Sequence, residues 1–274
     1  MKHSIVVVLL ALLVLGACGQ ATPTSPPTEV PLSGRITFAG STTVQPLAAK
    51  VGEAFQQQHP GVTLDIAAGG SVVGIQAIHD GTVDIGMASR ALKPEEEAGI
   101  TCHQIAVDVI AIVVNVSNPV EGLTREQLRG IYLGEIVNWR EVGGPDHPIE
   151  VVIRETTSGT RGAFDEIVLD KQEPVAPNLQ TAMTAGDVAA LVAAEPDAIG
   201  YVGFGNLEAG LKQVAIDGVP PSEETARDGS YTLVRPLLLL TGPLTQPLAQ
   251  TFVEFALSDG GQQVVVDSGW VSAR

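Results

Sequence analysis

An alternation of short apolar strands with amphipathic helices is the feature that most constrains the fold of this chain. Residues 36–39 form an apolar segment, and a helical stretch at residues 44–57 follows, with Leu47, Val51 and Phe55 on one face. The same succession recurs along the rest of the chain. It predicts an α/β fold built on a parallel sheet.

Two long apolar segments, residues 104–114 and 231–240, are also predicted as strands. The 274 residues suffice for one large or two medium domains, and two α/β lobes fit this length. The sequence contains no repeat of about 20 to 50 residues, which argues against solenoids and propellers. A last amphipathic helix is predicted over residues 246–257, continuing through 262–266.

The N-terminal segment has the layout of a secretion signal. Its apolar run, residues 5–15, is too short to span a bilayer comfortably. The run leads into the letters LGAC at 15–18, which resemble a bacterial lipobox, where cleavage precedes the cysteine and its thiol is lipidated. We therefore predict a lipoprotein signal peptide at 1–17, and a lipidated Cys18 with a Thr/Pro/Ser-rich flexible tether over 18–33. A plain secretion signal and an N-terminal anchor helix are the alternatives.

Three loops share one design, in which a strand leads through small and hydroxylated residues into a helix. They are Gly40-Ser41-Thr42-Thr43, Gly69-Gly70-Ser71 and Thr157-Ser158-Gly159-Thr160. A helix N-terminus offers free N–H groups and a partial positive charge, and hydroxyls add donors, so such a loop can bind an anion. Ordinary helix capping is the simpler explanation for any one loop alone. Three of them at the carboxyl ends of strands, where ligands of open α/β sheets bind, favour an oxyanion site.

Arginines are the second indication of an anion site. The chain has 15 Lys and Arg against 31 Asp and Glu, and this net charge of −16 argues against nucleic-acid binding through a broad basic surface. Arg90 and Arg154 nevertheless lie at the ends of predicted strands, and a planar guanidinium suits a tetrahedral oxyanion. Each could instead be a surface arginine at a strand end. We expect Arg161 to pair with Asp165, four residues on, rather than to contact a ligand.

Signatures of an enzyme are weak. The histidines form no HxH, HExxH or Cys/His ligand set, so no metal site is predicted. The sequence contains neither a GxSxG nucleophile elbow nor a GxxxxGK[ST] phosphate loop, and it places no general base beside Ser158. We therefore predict neither a catalytic centre nor a cofactor.

Residues 36–274 resemble the phosphate-binding subunits of bacterial phosphate ABC importers, the PstS type. Seven segments carry the resemblance, in the family's order: AGSTTVQPLA at 39–48, GGSVVGIQAI at 69–78, DIGMASR at 84–90, LTREQLRGIYLGEIVNW at 123–139, EVGGPD at 141–146, VVIRETTSGTR at 151–161 and AIGYVGF at 198–204. The resemblance implies a type II periplasmic-binding-protein fold, with two α/β lobes joined by two hinge strands and phosphate between them. It assigns residues 34–114 and 232–274 to lobe one and 115–231 to lobe two.

The same resemblance implies which residues bind phosphate. These are Ser41, Thr42, Thr43, Ser71, Ser89, Arg154, Ser158, Gly159 and Thr160. Arg90 is a departure, because many family members carry there an aspartate that accepts a phosphate proton and helps to reject sulfate. We expect Arg90 to point into the cleft as an additional phosphate-binding cation. The alternative is that it pairs with a carboxylate at the rim or turns to solvent.

The expected function is that of an extracytoplasmic lipoprotein that captures inorganic phosphate and delivers it to an ABC permease. The protein would be a non-enzymatic monomer, held at the membrane by its lipid, without a cofactor, a metal or a nucleic-acid partner. Three alternatives stay open: a sensor lipoprotein that reports oxyanion levels, a binder of another tetrahedral oxyanion, and a phosphoester hydrolase whose product occupies the same loops.

Overall fold

The computed structural model describes residues 31–274. The predicted signal peptide, the predicted lipidation site Cys18 and the tether up to residue 30 lie outside the described residues. No helix within residues 31–274 is both long enough and apolar enough to cross a membrane.

The described chain alternates strands and helices, as predicted. The strands β1 to β12 span Ser33–Gly40, Gly61–Ala68, Ile85–Ala88, Thr101–Asn115, Gly122–Leu123, Glu150–Arg154, Leu179–Ala182, Ala198–Gly203, Leu211–Gln213, Ala215–Ile216, Val234–Thr241 and Val271–Ser272. The helices α1 to α8 span Val44–Gln58, Ser71–His79, Arg125–Tyr132, Gly159–Ile167, Ala185–Ala194, Glu223–Arg227, Pro247–Leu257 and Asp259–Asp267.

The two long apolar segments form β4 and β11, which confirms both predicted strands. The last predicted helix is instead divided into α7 and α8. Ser258 stands between them in an extended conformation, and its hydroxyl oxygen accepts a hydrogen bond from the N–H of Gly261 at 3.2 Å. A serine that caps the next helix in this way ends the previous one.

Ten strands form one mixed sheet within the described residues, in the order β2-β1-β3-β11-β4-β8-β6-β7, with β9 and β12 pairing to β4. β1 is parallel to β2 and β3, and β6 is parallel to β7 and β8. Between these parallel groups, β11 and β4 run antiparallel to each other. β4 is long enough to serve both groups, since residues 101–109 pair with β11 and residues 110–114 pair with β8. The predicted α/β class is confirmed, and the sheet is mixed.

We call β1, β2, β3, β11 and residues 101–109 of β4 the first half of the sheet, and the remainder of β4 with β6, β7 and β8 the second half. Helices cover both faces of each half. In the first half α1, α7 and α8 pack on one face and α2 on the other, so neighbouring residues of β11, Leu237 and Leu238, enter different cores.

In the second half α3 and α4 cover one face and α5 covers the other, and Ile112 and Val113 of β4 separate in the same way. Burial on both faces explains why these strands read as continuous apolar runs. The predicted lobe boundaries, at residues 114/115 and 231/232, stay a prediction.

Candidate functional site

The predicted loops of the two halves lie against each other. In the first half, the carbonyl of Gly40 accepts hydrogen bonds from the N–H groups of Gly69 and Gly70, both at 2.9 Å. Across the halves, the N–H of Val72 donates to the carbonyl of Thr157 at 3.1 Å. The carboxyl ends of β1, β2 and β3 therefore face the end of β6, because parallel strands finish at the same edge of their sheet.

The hydroxyl oxygens of the first loop all accept hydrogen bonds. The oxygen of Ser41 accepts the N–H groups of Thr43 and Val44, at 3.2 and 3.3 Å, at the start of α1. The oxygen of Thr42 accepts the N–H of Ala185, the first residue of α5, at 3.3 Å, which links the two halves. A hydroxyl that accepts in this way keeps its own proton for donation.

Thr43 points to the place where the halves meet. Its hydroxyl lies 3.1 Å from the hydroxyl of Thr160 in the first turn of α4. Both side chains are buried. Two hydroxyls from opposite halves thus lie within hydrogen-bond distance of each other and can serve a single small ligand.

Ser71, Ser89 and Gly159 form a second close contact between the halves. The oxygen of Ser71 accepts the N–H of Ser89 at 3.0 Å and lies 3.4 Å from its hydroxyl. A Cβ added at Gly159 would lie 2.7 Å from the Ser89 hydroxyl and closer still to that of Ser71. Only glycine allows the N-terminus of α4 to approach the two serines this closely.

Helix α4 begins at this contact. Ser158 is its N-cap, and the Ser158 hydroxyl accepts the N–H of Arg161 at 3.2 Å. The first N–H groups of an α-helix have no partner inside the helix, and they carry a partial positive charge. The end of α4 at Gly159 and Thr160 therefore supplies donors to the same region.

Arg154 is held rigidly and has one free nitrogen. Its side chain is 1% exposed, and its Nε and Nη2 donate to the carboxylate of Glu155 at 2.9 and 2.8 Å. Nη2 also donates to the carbonyl of Met183 at 3.2 Å. Nη1 is buried and has no hydrogen-bond partner among the described residues. A buried charged donor left free in this way is costly unless a ligand completes it.

Arg235 is a cation of this site that sequence reasoning missed. It lies on β11 directly opposite Asp108 of β4, and its Nε and Nη2 donate to the Asp108 carboxylate at 3.0 and 2.8 Å. Its Nη2 also lies 3.4 Å from the hydroxyl of Thr43. The sequence did carry a signal, since the two long apolar segments, 104–114 and 231–240, each contain a single charged residue, and the two charges are of opposite sign.

Burial raises the pKa of Asp108, and the attraction and hydrogen bonds of Arg235 oppose this shift. Burial also lowers the pKa of Arg235, and the attraction and hydrogen bonds of Asp108 oppose this shift. The positive charge of Arg154 lowers the pKa of Arg235 further. The two guanidiniums are therefore close enough to repel each other. Such repulsion is relieved by an anion bound between them.

The prediction that Arg90 points into the cleft is wrong. Both terminal nitrogens of Arg90 donate to the carboxylate of Glu96 at 2.7 Å, and its side chain lies against Gly162 on α4. The carboxylate is held in place by the N–H of Lys93 at 2.8 Å. Burial raises the pKa of Glu96, but the hydrogen bonds from Arg90 and Lys93 outweigh it and lower this pKa overall. The alternative, pairing at the rim, is what the structure contains.

Arg161 pairs with Asp165 at 2.6 Å, as expected from their spacing, and its Nη1 donates to the carbonyl of Arg154 at 3.0 Å. It therefore fixes the backbone carbonyl of Arg154 and is not free for a ligand at that nitrogen.

Within residues 31–274, the His, Cys, Asp and Glu side chains form no group of three or more that could hold a metal ion.

This mixed α/β sheet, with loops of two halves meeting at strand ends, is the architecture of a periplasmic-binding-protein-like domain. The sequence-family model described as PBP superfamily domain matches residues 25–260 of this chain. The phosphate-binding protein PstS of Bacillus subtilis is 32% identical, over 98% of this chain and 94% of its own length.

Solved structures of proteins similar to this chain point to the same family. A candidate phosphate ABC transporter substrate-binding protein of Clostridium perfringens, solved with bound phosphate, is 38% identical with a TM-score of 0.85, over 88% of this chain and 100% of that one. An ABC-type phosphate transport receptor of Vibrio cholerae is 33% identical with a TM-score of 0.72, over 87% and 100%. The chain belongs to the PstS family of phosphate-binding proteins.

Proposed function

We propose that this protein is an extracytoplasmic solute-binding lipoprotein that captures inorganic phosphate and delivers it to an ABC permease. The observation that carries the proposal is the buried guanidinium of Arg154, whose Nη1 is free among the described residues and which precedes the N-terminus of α4 by a few residues. The relatives named phosphate-binding protein PstS, and a similar structure with bound phosphate, support phosphate as the anion.

The hydroxyls favour an anionic ligand for a simple chemical reason. The oxygens of Ser41, Thr42, Ser71 and Ser158 each accept a backbone N–H. Their remaining hydrogen-bonding capacity includes the O–H proton, which only an acceptor can use. A site rich in such protons, with a guanidinium and a helix N-terminus, suits a ligand made of acceptor oxygens.

We infer that phosphate is bound by the residues that the resemblance implies, with Arg90 left out. Arg154 would neutralise its charge, Gly159 and Thr160 would donate from the first turn of α4, and the hydroxyls would complete the shell. Because Thr43 belongs to the first half and Thr160 to the second, phosphate would hold the two halves together. This supports the proposed lobes, residues 34–114 with 232–274 and residues 115–231, closing on the ligand.

Binding without turnover fits the surroundings of Ser158. Its oxygen caps α4. Three histidines have partners elsewhere, since His79 bonds the carbonyl of Glu96, His103 the hydroxyl of Thr241, and His147 the carboxylate of Asp197. A hydrolase would need a general base beside its nucleophile. The lipid on Cys18, the tether and the monomeric state are proposed from the sequence alone.

Calorimetric titration of the full chain in detergent tests the binding proposal. We expect one phosphate to bind per chain, with arsenate as the nearest competitor because it has the same charge and shape. Sulfate and molybdate serve as the comparison oxyanions. The absence of phosphate binding, or the continuous release of phosphate from a phosphomonoester, would contradict the proposal. Delivery is tested separately, by phosphate uptake in cells that carry the permease with either this protein or an Arg154→Ala variant.

A further inference from the structure

Two arginines of the site share one arrangement. In Arg154 and in Arg235, Nε and Nη2 are bound by a carboxylate, that of Glu155 and that of Asp108 respectively. In both, Nη1 is buried without a hydrogen-bond partner among the described residues. Both side chains are 1% exposed. A guanidinium gripped from one side presents its remaining nitrogen in a fixed direction.

Arg235 lies at the meeting point of the loops. Its Nη2 is 3.4 Å from the hydroxyl of Thr43, which is itself 3.1 Å from the hydroxyl of Thr160. Thr43 and Thr160 come from opposite halves of the sheet. Arg235 comes from β11, so a third part of the chain contributes to the same place.

Asp108 holds Arg235 in place, and both of its carboxylate oxygens accept hydrogen bonds. One carboxylate oxygen accepts both contacts from Arg235, and the other accepts the N–H of Phe204 at 3.0 Å. Gly203 makes room for the pair, since a Cβ there would lie 3.0 Å from Arg235 Nη2 and closer still to the Asp108 carboxylate. The position is therefore built around an ion pair, which a buried arginine requires.

We propose that Arg235 is a second anion-binding guanidinium, which donates its Nη1 to the same phosphate as Arg154, and that Asp108 is the positioning residue that aims it. This inference rests on the proposed function. It also identifies a second positive charge at the site. Arg90 does not supply this charge because it pairs with Glu96, and Arg235 on β11 supplies it instead. An anion between two guanidiniums removes their mutual repulsion, and each donates a charge-assisted hydrogen bond.

The test neutralises the pair as a unit, in the full chain. Asp108→Asn with Arg235→Gln keeps similar shapes and leaves no buried charge alone. The matched control is Glu96→Gln with Arg90→Gln, because it neutralises a bidentate pair in which Glu96 already binds both terminal nitrogens of the arginine. Calorimetry measures phosphate affinity, and thermal unfolding without phosphate reports on the fold.

We expect the Asp108/Arg235 variant to bind phosphate about 10- to 150-fold more weakly than the parent, the range for one hydrogen bond to a charged group. The Arg90/Glu96 control should stay within about threefold. A folded Asp108/Arg235 variant with parental affinity would overturn the inference.

A second variant keeps the inference testable if the double variant does not unfold cooperatively. Arg235→Lys retains the charge opposite Asp108 but cannot grip the carboxylate with two nitrogens and reach the anion with a third. We expect at least about tenfold weaker phosphate binding from it, and unchanged binding would overturn the inference. If the parent itself binds no phosphate, the proposed function fails and this inference with it. If the parent binds and Arg154→Ala does not, while the Arg235 variants bind normally, only this inference fails.

Discussion

Replacing Gly159 by alanine should open the proposed binding cleft while leaving the fold of each half intact. A Cβ at this position would lie 2.9 Å from the Cβ of Ser71 and 2.7 Å from the Ser89 hydroxyl, whereas ordinary contact begins at 3.4 Å. The two serines belong to loops of the first half, and Gly159 begins α4 in the second half. The overlap is therefore relieved when the two sets of loops move apart.

The expected loss of phosphate affinity depends on which state of the protein contains the steric overlap. Overpacking by one methyl group in a tightly packed place costs about 1–3 kcal/mol. Because separated loops avoid this cost, it falls mainly on the ligand-bound arrangement, in which the loops must meet. We therefore expect phosphate affinity to drop about 5- to 150-fold. Without phosphate, the melting temperature should be unchanged or slightly higher, since alanine favours helix over glycine.

Gly162→Ala is the matched control for this prediction, because it makes the same change in the same helix. A Cβ there would meet only the flexible side chain of Arg90, at 3.1 Å from its Cδ. Calorimetry and thermal unfolding of both variants provide the measurements. Equal phosphate affinities in Gly159→Ala, Gly162→Ala and the parent would refute the reasoning that the two serines and α4 must touch when phosphate is bound.

Three further predictions concern other parts of the account. Arg154→Ala should lose at least about a hundredfold in phosphate affinity by calorimetry, because it removes one partner of a buried charge pair, and Arg154→Lys should recover only part of the loss; parental affinity in Arg154→Ala would show that this arginine does not contact the anion. Small-angle scattering should give a smaller radius of gyration with phosphate than without it, and an unchanged radius would contradict closure of the halves. Burial raises the pKa of Asp165 to about 6 despite the opposing charge of Arg161, so the folded chain binds this proton more tightly than the unfolded chain and loses stability through this group as pH rises from 3.8 to about 6. Asp165→Asn should flatten that part of the pH dependence of thermal unfolding, and an unaltered slope would contradict the raised pKa.

The parts of this site that could be predicted from sequence are those carried by local pattern. The Gly/Ser/Thr loops stand between a strand and a helix, so their common edge follows from parallel α/β topology. The position of Arg154 beside such a loop could be predicted because it ends β6 four residues before Ser158. The two long strands could be predicted because burial on both faces leaves an unbroken apolar run in the sequence.

The parts that could not be predicted depend on contacts across the chain. Arg154 ends β6 and Arg90 follows β3 by two residues, so both lie near strand ends. They differ because the chain after Arg90 brings Glu96 back to bind both of its terminal nitrogens. The pairing of Arg235 with Asp108 depends on the register between β11 and β4, which local pattern does not specify. Two lone opposite charges in apolar strands are the signal that would have suggested it, because a buried charge needs a partner.

The most direct test of the central claim is the position of phosphate in a crystal structure of this protein grown with phosphate. The account predicts one phosphate between the two sets of loops, with oxygens within about 3 Å of Arg154 Nη1 and of the N–H groups that open α4. Phosphate bound elsewhere on the chain, or a structure in which Arg154 Nη1 points away from it, would contradict the account.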